Sequence, residues 1–134
     1  MKPLTTIFFL ISISFPSYQE VAYQGEFDNY SRWTTFEGKW KIVKNGDKHQ
    51  IVLGEDFEAK EAPDLKIFLS KADLDDIESK NALNEGEPVF VAKLTSYEGA
   101  ATYDIPASID ISQYKTIIVH CEEYAKLWGG SSLQ

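Results

Sequence analysis

From Val21 onward, short runs of alternating apolar and polar residues are separated by turn residues, the pattern of an antiparallel β domain. Trp40 to Val43 lead into Lys44-Asn45-Gly46-Asp47, and Gln50 to Leu53 lead out. Asn-Gly suits a two-residue hairpin because both central positions need positive φ. That turn predicts Trp40 opposite Ile51 and Ile42 opposite His49. Leu65, Ile67 and Leu69 alternate with polar or outward positions after the stiff Ala62-Pro63-Asp64 lead-in. Phe90, Ala92 and Leu94 do the same, Tyr97-Glu98-Gly99 turns the chain, and Ala101, Tyr103 and Ile105 bring it back. Pro106 ends that strand, since proline offers no amide hydrogen to a ladder. Asp110 caps a single helical turn running to Tyr114.

The last strand of this reading is Lys115 to Cys121. Its apolar continuity marks it as interior, with Ile117, Val119 and Cys121 on one face and Ile118 and His120 on the other. His120 then points outward. Ser70 to Glu87 differs from the rest. It is polar and acidic, with Leu74, Ile77 and Leu83 as its few apolar anchors, and reads as a long solvated loop holding at most one short helix. About seven to nine strands at this spacing predict an all-β fold, an antiparallel two-sheet β-sandwich that is jelly-roll-like or a partly closed barrel.

The N-terminus changes the picture. Lys2 precedes an apolar run from Leu4 to Phe15, too short to span a bilayer and suited to the core of a secretory signal. Residues 1–20 are therefore assigned to a signal peptide, with cleavage at any point up to Ala22, and residues 21–134 to one β domain. The alternative is a buried N-terminal strand. Export makes the cysteine count informative. A single cysteine, Cys121, leaves an exported protein no internal disulfide; the thiol stays free, bridges to another chain, or binds something.

A formal net charge of −8 repels phosphate backbones and anionic lipid, which argues against nucleic-acid and membrane-surface binding. The acidic run Asp73, Asp75, Asp76 and Glu78 lacks calcium-loop spacing, because Ile77 and Glu78 fall where an oxygen ligand and the glycine belong. No Gly-x-Ser-x-Gly elbow, phosphate loop or zinc spacing occurs. Trp33 and Trp128 lie near chain ends or loops and offer either a binding face or packing.

Cys121 and His120 are adjacent, but neighbouring strand residues face opposite ways and cannot share a metal or proton without a bulge. From position alone, a packed core thiol is the plainer reading of Cys121. Haem is the one prosthetic group to weigh. Cys-x-x-Cys-His is absent and the single methionine is Met1, which leaves Cys121, His120, His49 and tyrosines as candidate ligands.

Ordered landmarks along the chain then carry a resemblance. They are Gly25-x-Phe27, Gly38, Leu53, Asp56-Phe57, Pro63-Asp64-Leu65 and Leu69-Ser70, followed by Leu94, Gly99, Tyr103, Ile105-Pro106, Ile109 and Tyr114. Val119-His120-Cys121, Trp128-Gly129 and Leu133 complete the set. In order and spacing the chain resembles the DM-thirteen domain family, described as an electron-transfer domain, over about Gly25 to Leu133. It departs from the pattern at Ala62, where glycine is usual, at Trp128, where phenylalanine is common, and at Ser131, which replaces a small apolar residue. The resemblance implies an extracytoplasmic redox domain in which Cys121 acts as a bare thiol or as ligand to a prosthetic group such as haem. Tyr103, Tyr114 and Trp128 would then shield Cys121 or line a pocket beside it. The implied partner is a redox protein or a cell-surface protein, with no membrane span in the mature chain. The other class of function is a non-catalytic binding or scaffolding module in which Cys121 only packs.

Overall fold

A computed structural model describes residues 2–7, 9–11, 19–28 and 34–133. In chain order its strands are β1 (Glu20–Phe27), β2 (Phe36–Asn45), β3 (Lys48–Leu53), β4 (Glu58–Ala59) and β5 (Leu65–Ser70). They continue as β6 (Val89–Lys93), β7 (Ala101–Ile105), β8 (Thr116–Cys121) and β9 (Lys126–Ser132). One sheet runs β1-β2-β3-β7 with β4 beside the start of β2; the other runs β6-β5-β8-β9. Every pairing is antiparallel. The sheets form an open sandwich. β1 approaches β9 and β6 approaches β7, but no ladder closes the structure into a barrel.

Alternation places the core between the sheets. Trp40, Ile42, Ile51, Leu53 and Tyr103 from the first sheet meet Leu65, Ile67, Leu69, Ile117, Val119 and Cys121 from the second. Burying each large apolar side chain contributes about 1.5–3 kcal/mol. Phe36 packs edge-on to Phe27 at 4.8 Å and to Phe57 at 5.5 Å, an arrangement favoured by the ring quadrupoles. Asp110 caps the short turn Ile111–Gln113 by accepting from Ser112 N, as the sequence suggested.

Three expectations are corrected. The β2–β3 register pairs Trp40 with Leu53 and Ile42 with Ile51, so the tight turn is Gly46-Asp47 rather than Asn45-Gly46. A two-residue slip keeps every side chain on its face, so alternation could not detect it. Gly46, at φ 63°, supplies the positive φ that a glycine-first hairpin turn requires. Cys121 does not end the last strand, because β9 follows it and makes β8 a central strand. Gly129-Gly130 hid β9. Phe36 fills the place of the missing side chain, its Cδ1 lying 2.2 Å from where a Cβ on Gly129 would sit.

The acidic stretch is a loop with one short 3₁₀ turn, Leu74–Asp76, and exposed carboxylates, but it does not stand free of the sheet. Residues 71–88 fold over the outer face of the second sheet, where Ile77 and Ala82 pack on Ile118 and Leu127. Ser79 Oγ accepts from Leu127 N at 3.0 Å and Thr116 Oγ1 donates to Ala72 O at 2.7 Å, fastening the start and the middle of this cover. His120 on that face is buried, not outward.

Residues 2–7 and 9–11 form no strand, and Leu4 and Leu10 are both 98% exposed. Among the described residues no helix is long and apolar enough to cross a membrane. Trp33, one of the two candidates for a binding face, lies outside the described residues.

Candidate functional site

Cys121 is the final residue of β8, held between Leu65 of β5 and Lys126 of β9. The strand period turns its side chain inward with Ile117 and Val119, so Sγ enters the core between the sheets. The residue is 0% exposed and its thiol is free. A 3₁₀ or left-handed turn does not interrupt β8 here; the chain reverses only beyond it, where Ala125 adopts φ 50°.

Aromatic side chains gather at this end of the sandwich, each with its polar tip tied to backbone. Trp128 is the extra residue of a bulge, since Val119 pairs with Gly129 and His120 with Leu127. The bulge turns the indole into the core that holds Cys121, and Nε1 donates to Lys60 O at 3.0 Å. Tyr103 crosses from the first sheet, and its hydroxyl accepts from Thr95 N at 3.1 Å. The neighbouring Leu94 N donates to the carbonyl of Leu65, the residue paired with Cys121. Tyr97 donates to Ala62 O at 2.7 Å and packs on the same cluster. Sequence reading treated Tyr97 as a turn residue; the stiff Ala62-Pro63-Asp64 segment that receives its hydrogen bond was the available signal.

Tyr114 is elsewhere. It precedes β8, whereas Cys121 ends it, and seven residues of extended chain separate the two by about 20 Å. The structure thus gathers Cys121, Tyr103 and Trp128 into one core cluster and sets Tyr114 at the opposite end of the strand. There its ring carries Lys71 Nζ at 5.6 Å.

The electrostatics lie outside the core. Lys66, beside His120 on β5, forms an ion pair with Glu122 and a second with Asp64 at 3.6 Å. The hydrogen bond to Glu122 holds the Lys66 ammonium above its ordinary pKa, with Asp64 adding to the effect. The glutamate that follows Cys121 is therefore balanced by a cation. Next to Lys66 on the same face, burial pushes the His120 imidazole below its ordinary value and the charge of Glu122 partly opposes this. His120 Nδ1 has no hydrogen-bond partner among the described residues.

These residues do not fit a haem. Sγ is surrounded by packed side chains, and the clefts formed by residues 24–28, 39–41, 52–58, 73–78, 98–99 and 130–132 lie away from it. Neither histidine shares that face with Cys121. His120 points the other way and His49 belongs to β3 of the other sheet, outside the core cluster. What the arrangement offers is a sealed sulfur in a core that also holds Tyr103 and Trp128. Disulfide exchange requires contact between sulfurs and is blocked while the fold is closed. Electron passage through packed side chains carries no such requirement.

No curated protein and no solved structure matches the chain. A family model described as Electron transfer DM13 matches residues 26–133, from the end of β1 to the residue after β9. The match covers both sheets, Cys121 and its aromatic neighbours, and the chain belongs to the electron transfer DM13 family.

Proposed function

We propose that this chain works outside the cytoplasm as an electron-transfer domain that exchanges electrons with a redox partner protein at Cys121, without a prosthetic group. In that exchange the S–H bond breaks, one electron passes to an oxidised centre of the partner and the proton to solvent, leaving a thiyl radical; one electron and one proton returning restore the thiol. The observation that carries this reading is the pairing of family membership with a single, fully buried cysteine in a core cluster that also holds Tyr103 and Trp128. Burial protects such a centre from the oxidants that consume exposed thiols outside the cell. The apolar run from Leu4 to Phe15 supports export. N-terminal sequencing of protein recovered from the extracytoplasmic fraction tests that part, with a mature chain beginning no later than Ala22 as the expected result.

Protein-film voltammetry of the native chain and of Cys121→Ala tests the centre itself. A wave present in the first and absent in the second supports the proposal; identical traces reject it. Complete burial favours a second reading, in which Cys121 is only a packing residue of a binding module. On that reading Cys121→Ala costs about 1–2 kcal/mol of stability and changes nothing else.

A further inference from the structure

We propose that the tip of the β2–β3 hairpin is a self-modifying site, at which Asn45 of the folded chain loses its side-chain amide to water and becomes isoaspartate. The site uses no residue of β8 or β9 and does not rest on the redox reading.

Asn45 ends β2 and pairs with Lys48 in the last rung of the ladder. Gly46 and Asp47 turn the chain, and Asn45 to Lys48 are all exposed. Gly46 adopts φ 63°, and a Cβ placed on it would meet nothing within 4 Å. Its backbone nitrogen donates to no carbonyl among the described residues. The Asn45 amide is likewise free of hydrogen bonds there.

The other described asparagines, Asn81 and Asn84, are held at both reacting groups. Asn81 Oδ1 accepts from Glu78 N at 2.8 Å, and its Nδ2 donates to Asp76 O at 2.9 Å. Asn84 Nδ2 donates to Lys80 O at 3.3 Å. The nitrogens that follow them are also engaged. Ala82 N donates to Glu78 O at 2.9 Å, and Glu85 N to Asn81 O at 3.0 Å. Only at Asn45 are the carbonyl to be attacked and the attacking nitrogen both at liberty among the described residues.

The chemistry follows from their proximity. The Gly46 nitrogen gives its proton to solvent and forms a bond to Asn45 Cγ, closing a five-membered ring; such intramolecular attack is strongly favoured over its bimolecular counterpart. The C–N bond of the side-chain amide breaks and ammonia leaves. Water then opens the ring at either carbonyl. Attack at the backbone carbonyl yields isoaspartate, and attack at Cγ yields aspartate. One water is consumed and one ammonia released, with no change of oxidation state. Closure needs rotation about χ1 and ψ of Asn45 alone, and glycine offers no side chain to obstruct it. The rung that yields is the exposed end of the ladder, where opening costs least. Lys48, the cross-strand partner, places an ammonium beside the anion formed on ring closure.

The test is peptide mass spectrometry with electron-transfer fragmentation on the purified full chain, incubated at mildly alkaline pH. A gain of about 1 Da at Asn45 is expected, with isoaspartate exceeding aspartate, while Asn81 and Asn84 keep their amides. A urea-unfolded sample sets the time scale. The folded chain should convert Asn45 within about tenfold of that rate, because only the last rung must open. Asn45→Gln keeps an amide but must close a larger ring, and should stay unmodified over the same period. An Asn45 that survives about a hundred unfolded-state half-times in the folded chain overturns the proposal. Conversion of Asn81 or Asn84 as fast as Asn45, or equal conversion in Asn45→Gln, overturns it too.

Discussion

The two faces of β8 are both buried, yet they are covered by different kinds of structure. Ile117, Val119 and Cys121 meet the opposite sheet, where regular strands supply matching apolar rows and every aromatic polar tip at the Cys121 end finds a backbone partner. Ile118 meets residues 71–88, which reach the sheet through Ile77 and Ala82; on the same face His120 is buried with no partner for Nδ1 among the described residues. A face covered by sheet is held by many contacts set in register. The face under the loop depends on a few anchors, and its opening is therefore expected to be local and less costly.

The largest effect should come from the inner face. Phe57→Ala, which removes a ring packed against Phe27 and Phe36, should cost about 3–5 kcal/mol in urea unfolding and loosen both sheets together. Ile77→Ala should cost about 2 kcal/mol, at the low end for such truncations because a loop can settle into the gap. Hydrogen exchange should then quicken across residues 71–88 while β5 and β8 stay protected. Equal loss of protection in β5 would abolish the distinction between the two faces. Ser79→Ala, which deprives Leu127 N of its acceptor, should cost about 1 kcal/mol and act on the same segment.

The smallest and most specific effect is that of pH. The His120 pKa lies below its ordinary 6.5 in the fold, so between the two values the unfolded chain binds more protons. Stability should be level above about pH 7, decline as pH falls through 6.5, and reach its full loss below the folded value. His120→Phe should flatten that decline. A decline that persists in His120→Phe would assign it to other groups.

The same contrast explains what was legible beforehand. Strand period alone put Cys121 on one face with Ile117 and Val119, and a tight hairpin between β2 and β3, the Asp110 cap and the Pro106 stop followed from local chemistry. The cover over Ile118 was not legible, because Ile77 and Ala82 follow no period and stand among charges that read as solvent-facing. β9 was missed because two glycines replace the side chains by which a strand is recognised, and the hairpin register slipped by a step that leaves both faces intact. At the site, neither the bulge at Trp128 nor the Tyr97 hydrogen bond has a one-dimensional signature. Both depend on segments distant in sequence.

The surplus residue in β9 makes the interval from Cys121 to Gly129 a counted length. It sets an indole and a vacant glycine position next to each other on the inner face, and Phe36 occupies the vacancy. Removing one residue anywhere in the interval would carry Trp128 away from the sulfur and leave the phenylalanine without its socket. Chains that keep the thiol beside the indole will thus vary the turn at 122–125 in kind while preserving its number of residues.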